Sequence, residues 1–313
     1  MKEFIKNIYK NTKRLLTGHD RVLVAVSTGL DSMVLLNLLL EMKVQVAIAH
    51  VNHGQREQSK DEELFIKNFA HENNIPIFID YFTGEFSEND ARQFRYDFFE
   101  RIMREHNYTA LLTGHHKDDQ AETVFMKILR GARLFEIKGI KEKQSFANGE
   151  LIRPLLKVTK RELPMVEHFQ DESNFQNDYL RNRVRNLYIP NLESENPKFA
   201  KALVDLADEV TLANKVIYDI LDTVDITNIH DFRGSGSLQR FWLQYYLEDF
   251  PELKLNKKKL IDVVNFLNKT GQTSEKLDKH HVLVKSKDNF YVKLEGIHGD
   301  NTGGVNPLFL LVF

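Results

Sequence analysis

The densest chemistry in the chain lies in Thr113-Gly114-His115-His116-Lys117-Asp118-Asp119-Gln120-Ala121-Glu122-Thr123. The apolar run TALLTG leads into it as a strand, and the acidic residues fall where a helix begins. On that helix Asp119 and Glu122 are three apart and Asp118 and Glu122 four apart, so carboxylates converge on one face. Such a cluster can hold magnesium and an amine. A neighbouring His or carboxylate can take the amine's proton, so that the free amine attacks. Capping and helix-dipole compensation explain Asp118 or Asp119, but not Glu122 together with paired histidines.

A second cluster, Ser27-Thr28-Gly29-Leu30-Asp31-Ser32, joins the apolar run RVLVAVS to the helical run MVLLNLLLEM. This is an anion site in outline. Turn and helix N-terminal N–H groups point outward, and the helix dipole favours negative charge. Gly29 is expected to bring the backbone close or adopt positive φ. Ser27 and Ser32 add hydroxyls. Asp31 would repel a phosphate unless it held a cation, which implies magnesium. The loop has no lysine and the chain has no G-x-x-x-x-G-K-[ST] pattern, so this is not a Walker A loop. A capped strand–helix turn, with Ser27 or Thr28 as cap, is the plain alternative.

Three further clusters are weaker alone. His50-Val51-Asn52-His53-Gly54, followed by Arg56, ends an apolar strand. In Ala91–Phe99, Arg92, Arg95 and Phe99 share a helical face. Asp171-Glu172-Ser173-Asn174 runs on to Asn182-Arg183-Val184-Arg185, and Asp178 is the only acid near Arg181, Arg183 and Arg185. Solvated polar faces would explain each of these taken singly.

The elements that must position these residues alternate. RVLVAVS, VQVAIAHVN, IPIFIDYF and TALLTG read as strands. Helices are expected over 1–16, after STGLDS, over SKDEELFIKNFAHENN with Ser59 as cap, over 88–106, and from Lys117 to Leu129. That order predicts an α/β fold, a doubly wound parallel sheet with ligands at the strands' carboxyl ends. The polar clusters at Ser27–Ser32, His50–Gly54 and His115–Asp119 all follow strands.

Beyond about residue 140 the pattern changes. KEKQSFANGE reads as a loop, and LIRPLLKVTKRELPMVEHF as an extended piece and then a helix, with Thr159 and Glu162 as a capping box. Residues 195–225 read as helical and DFRGSGS as a linker or turn. Helices over Leu238–Leu247 and Lys257–Asn268 precede a strand pair, HVLVKS and FYVKL. The expected domains are 1–190, an α/β domain that carries the polar clusters, 191–230, a helical connector, and 231–313, a small α+β domain.

The chain of 313 residues is 42% hydrophobic and 28% charged with a net charge of −2, so any nucleic-acid surface is a local basic patch. It has no cysteine, which removes disulfides, iron–sulfur clusters and thiol nucleophiles. No apolar run approaches the roughly 18 residues of a membrane span. A cytoplasmic enzyme with no membrane partner is expected.

Ser27–Ser32 resembles the S-G-G-x-D-S pyrophosphate loop of the PP-loop ATP pyrophosphatases, with Thr28 where the first Gly usually stands. HVNHGQREQSKDEE, ARQFRYDFF, the HHKDDQAET run followed by Arg130-Gly131, and the segment from Asp171 to Arg185 resemble the tRNA(Ile)-lysidine synthetase family. The resemblance covers about residues 15–190 in five ordered motifs. The closing GDNTGGVNPLFLLVF is unlike the further module such enzymes often carry, so a short or truncated form is expected.

The resemblance implies an enzyme that takes ATP, magnesium, free L-lysine and the isoleucine tRNA with a CAU anticodon. The C2 oxygen of the wobble cytidine is adenylated, and the lysine ε-amine displaces AMP. Ser27, Thr28, Gly29, Leu30, Asp31 and Ser32 would then bind ATP, with His50 and Asn52 framing its pocket. Asp31 and Asp119 would take the metal. Asp119, Glu122 and His115 would orient lysine or metal, and Arg95 would stabilise the adenylated intermediate. Arg130, Arg181, Arg183 and Arg185 would contact tRNA. The resemblance leaves a homodimer open. The rival readings are another PP-loop enzyme acting on tRNA, which the lack of Cys disfavours for thiolation, and a tRNA-binding protein that has lost catalysis through Thr28.

Overall fold

The structure is a computed structural model that describes residues 2–54, 58–83, 87–169, 179–250, 252–253 and 255–295. The chain divides into two compact units, with the boundary between Asp208 and Glu209.

The first unit is built on a six-stranded sheet in the order β3-β2-β1-β4-β6-β5. Its strands are β1 (Arg21–Ala25), β2 (Gln45–Asn52), β3 (Ile77–Tyr81), β4 (Ala110–Leu112), β5 (Lys143–Phe146) and β6 (Gly149–Ile152). All neighbours pair parallel except β5, which returns antiparallel along β6. β1 is apolar from Val22 to Ala25 because both of its faces are covered there. Val22 and Val24 enter a core with helices α1 (Lys2–Leu15), α2 (Leu30–Glu41) and α3 (Gln58–Glu72). Leu23 enters the opposite core, with Phe98, Phe99, Ile102 and Met103 of α4 (Glu88–His106). The sheet is therefore doubly wound as expected, and the period-2 alternation of side chains decides which core each residue enters.

Helix α5 (Lys117–Leu129) leaves β4 and buries Ala121 and Val124 against Val184, Ile189, Leu203 and Ala207. Those partners come from a π-helical turn (Val184–Tyr188), which continues a short helix α6 (Leu180–Arg183), from α7 (Ile189–Glu195) and from α8 (Phe199–Leu221).

Some local expectations need correction. KEKQSFANGE is not a loop but contains β5, whose polar residues suit an exposed sheet edge. After β6 the expected helix shrinks to one 3-10 turn, Lys160–Glu162, because Pro164 follows at once. The Thr159–Glu162 cap itself is present. Ser59 lies inside α3 rather than capping it.

In the second unit, α9 (Ile229–Gly234), α10 (Gln239–Tyr246) and α11 (Lys257–Asn268) surround a core with Phe232, Leu243, Val263 and Phe290. A three-stranded antiparallel sheet, β7 (Thr273–Lys276), β8 (His281–Lys285) and β9 (Phe290–Leu294), completes it. β7 was not in the expected strand pair, and DFRGSGS, expected as a linker or turn, holds the end of α9 and the start of a 3-10 turn. Among the described residues no helix is long and apolar enough to cross a membrane.

Candidate active site

The phosphate-loop candidate runs from the end of β1 to the start of α2. Thr28 has φ 63, in the left-handed region, whereas Gly29 is extended at φ −71. The expected positive φ therefore belongs to Thr28, and Gly29 needs no special conformation. Left-handed backbone costs an L-residue about 1–2 kcal/mol. Local bonds hold it: Thr28 Oγ1 donates to Ser27 O at 2.6 Å, and Phe169 N donates to Thr28 O at 2.9 Å. Neither Ser27 nor Thr28 caps α2; Gly29 is the N-cap residue and offers no side chain. Ser32 Oγ instead accepts from Ser27 N at 3.2 Å and donates to Gly29 O at 3.0 Å, closing the loop on itself. The first-turn N–H groups of α2 lack intrahelical acceptors by helix geometry and point toward the mouth of the loop.

The exit of β4 crosses this turn at close range. A Cβ on Gly114 would lie 2.8 Å from Asp31 O and 3.0 Å from Ser32 N. Only glycine lets the two loops touch, and that contact brings the carboxylate cluster to the anion site.

His116, buried at 2% exposure, sits at the centre. Its Nε2 is 3.5 Å from Asp31 Oδ2 and 3.6 Å from Asp119 Oδ2, and its Nδ1 is 3.2 Å from Asp118 Oδ2. Burial opposes its charge, but the carboxylates of Asp118 and Asp31 beside the ring outweigh it and raise the imidazole to about 9. Asp118 is desolvated, yet His116 and the Lys160 N–H hold it down at about 2. Burial also works against ionisation of Asp31 and Asp119. His116 and Lys160 lower the first, and His116 and Arg181 lower the second.

His115 takes the opposite course. Its Nδ1 meets Thr113 Oγ1 at 2.8 Å. Burial pushes it down to about 4; Asp119 resists, and the positive charges of Arg153, Arg181 and Arg92 add to the fall. At neutral pH the paired histidines thus differ: His115 is neutral and His116 charged.

Asp119 and Glu122 share a face of α5 as their spacing predicts, and two arginines meet them there. Arg181 donates from Nε to Glu122 at 2.9 Å and from Nη2 to Asp119 at 2.7 Å. Arg185 donates to both oxygens of Glu122, at 2.6 and 3.0 Å, and to Asp119 at 3.2 Å. Asp119 Oδ2 also accepts from His116 N at 2.9 Å, so it caps α5 as well.

The other predicted residues are placed as follows. His50 is buried and bonded through Nδ1 to Val26 O at 2.8 Å, and burial lowers its pKa. The Asn52 amide ties its loop to α3, donating to Ser59 O and Glu63 and accepting from Gly54 N. Arg95 is half-buried on α4, Arg183 half-buried on α6, and Arg130 exposed at the end of α5. Arg56, Asp171–Asn174 and Asp178 lie outside the described residues.

Three residues near the cluster were not singled out for it. Lys160 Nζ stands 3.4 Å from Asp31 Oδ2. Arg153 is buried, donating to Lys141 O at 2.6 Å and to Gln144 at 3.3 Å. Arg92 stacks its guanidinium 4.8 Å over the Tyr96 ring. A basic residue just after a buried strand was the available signal for Arg153; Lys160 had no local one.

Residues 1–192 match the PP-loop domain family. The tRNA(Ile)-lysidine synthase of Streptococcus sanguinis (strain SK36) is 48% identical over 296 residues, which cover 93% of this chain and 69% of that protein. That of Streptococcus mutans serotype c is 44% identical over 305 residues, covering 96% and 72%. Among solved structures, the U34-tRNA thiolase NcsA of Methanococcus maripaludis matches with a TM-score of 0.51 at 22% identity, over 66% of this chain and 78% of its own, a likeness of fold. Identity at that level along nearly the whole chain means that the protein belongs to the tRNA(Ile)-lysidine synthase family and carries its PP-loop domain.

Proposed function

We propose that the chain ligates free lysine to C2 of the wobble cytidine in the isoleucine tRNA with a CAU anticodon. ATP supplies the adenylyl group, and AMP and pyrophosphate are released. The observation that carries this reading is the meeting of two loops. His116, within 3.6 Å of both Asp118 and Asp119 in the carboxylate–histidine cluster, stands 3.5 Å from Asp31 of the anion-binding turn. ATP polyphosphate and an attacking amine would share that space.

Ser27, Thr28, Gly29, Leu30, Asp31 and Ser32 form the ATP end. The helix terminus and hydroxyls suit a polyphosphate. His50 Nδ1 and the Asn52 amide are bonded to protein partners, so these residues are assigned to the wall of the site. Magnesium fits here, because Asp31 Oδ1 is buried without a hydrogen-bond partner and is the hard oxygen donor that ion takes. Asp31 would hold it with oxygens of ATP. Asp119, whose oxygens already accept protein donors, stands second. Bound there, magnesium offsets charge on the polyphosphate.

Glu122 and Asp119 are the acidic groups for the lysine ammonium. His115, neutral where His116 is charged, is the proton acceptor of the pair. In the ligation step a C2–N bond forms, the C2–O bond to AMP breaks, and the amine's proton passes to the protein. Arg95 is assigned to the charge of the adenylated intermediate. Arg130 and Arg183 are assigned to tRNA phosphate, as are Arg181 and Arg185 when they leave their carboxylates.

The test is incorporation of labelled lysine. Purified chain, ATP and magnesium are mixed with a CAU isoleucine transcript, and a CAU methionine elongator transcript is the control. Label in the isoleucine transcript alone, with AMP and pyrophosphate released, is expected. Equal label in both, or none despite ATP binding, would overturn the reading.

A further inference from the structure

The phosphate loop Ser27–Ser32 contains no lysine, so a polyphosphate bound there lacks the ammonium that a Walker A loop provides. The fold brings one from far along the chain. Lys160 Nζ lies 3.4 Å from Asp31 Oδ2, at the first turn of α2.

Its backbone is pinned on several sides. Lys160 N donates to Asp118 Oδ2 at 2.7 Å. Thr159 bonds Glu162 through both its N–H and its hydroxyl, at 2.9 and 2.5 Å, fixing the turn. Val158 O accepts from Lys117 N at 2.7 Å, and Val158 and Leu163 are buried in the core beneath the sheet. The stem is rigid, while the side chain is 48% exposed and has room to move. An ion pair that exposed adds little to stability, so holding the fold is a poor account of it.

We infer that Lys160 is a pyrophosphate-binding residue of the ATP site, its ammonium moving from Asp31 to the β- and γ-phosphate oxygens when nucleotide is bound. This rests on the ATP-dependent reading above. A polyphosphate at the loop offers Nζ more negative charge than Asp31 alone. A flexible point charge with rotatable donors suits it. The same contact follows the phosphates from ATP to released pyrophosphate.

Calorimetry of the full chain with ATP, inorganic pyrophosphate and AMP tests this, using Lys160→Ala and Lys160→Arg. The alanine variant keeps the N–H that bonds Asp118, so the turn is preserved. Expected is a loss of about ten- to a hundredfold for ATP and pyrophosphate, the range for a hydrogen bond to a charged group. AMP, which lacks the two outer phosphates, should bind within about twofold of the parent, and Lys160→Arg should recover most of the loss. Unchanged pyrophosphate and ATP affinity in Lys160→Ala would overturn the inference, as would an equal loss for AMP. A parent chain that binds no ATP would overturn the ATP-dependent reading with it. A parent that binds ATP no better than Lys160→Ala would overturn the Lys160 assignment alone.

Discussion

Replacing Glu122 by Gln should destabilise the first unit without altering side-chain shape. Glu122 is 2% exposed and accepts from Arg181 and twice from Arg185. With Asp119 it balances two guanidiniums, and the amide leaves those two facing one carboxylate. It also points an NH2 donor toward donors. Removing one partner of a buried ion pair costs about 3–5 kcal/mol. The arginine side chains are 28% and 30% exposed, so water recovers part of the loss and the low end, about 3 kcal/mol, applies. At about 2–4 °C per kcal/mol for a unit of this size, the midpoint falls by roughly 6–12 °C. Far-UV circular dichroism is the suitable probe, because the single tryptophan, Trp242, reports on the second unit. Glu122→Gln combined with Arg185→Gln removes the excess cation and should recover about 1 kcal/mol or more relative to the sum of the single changes. A Glu122→Gln midpoint within about 2 °C of the parent would refute the reasoning, since it would mean that the arginines gain nothing from the carboxylate.

Gly114→Ala places a Cβ 2.8 Å from Asp31 O, so the phosphate loop must shift. The expected result is a stability loss of about 1–3 kcal/mol and weaker ATP binding, and calorimetry showing parental ATP affinity would count against the contact. The paired histidines give opposite pH slopes. His115 lies at about 4 when folded against 6.5 free, so the unfolded chain binds the extra proton and stability falls as pH drops from 6.5 to 4. His116, raised to about 9, contributes stability that is complete below 6.5 and is lost as pH rises to 9. In urea titrations His115→Gln should flatten the acid limb and His116→Asn the alkaline limb; unchanged limbs would refute the assignment.

The parts of the fold that could be read from the sequence are those where burial dictates composition. β1, β2 and β4 are covered on both faces, so their apolar runs stand out; α4 showed as an amphipathic run and α5 by its acidic start. β5 escaped because an exposed edge strand can be polar. Asn148-Gly149 was its only turn signal, and Gly149 is required there since a Cβ would fall 2.1 Å from Thr109 O. β7 is likewise exposed along most of its length and carries no apolar alternation.

The site divides along the same line. Spacing on one helix placed Asp119 and Glu122 together, because i to i+3 geometry is local. Choosing between His115 and His116, or between Asp118 and Asp119, depends on which way a loop turns, and that is decided by Gly114 against Asp31. Arg181 and Arg185 are four apart and therefore share a face, but their carboxylates come from a segment some sixty residues earlier, so in isolation they read as phosphate ligands.

Thr28 is the reverse case, where a local rule gave a conditional answer that only the backbone could complete. A β-branched residue at the usual glycine position is costly if φ is positive, and φ is 63. The residue is 1% exposed, its hydroxyl is bonded to Ser27 O, and its carbonyl receives Phe169 N. The hydroxyl thus turns inward to brace the strained peptide. A residue in that conformation directs the neighbouring N–H groups where an extended chain would not, so the strain stored in the loop is part of what shapes its anion-binding mouth.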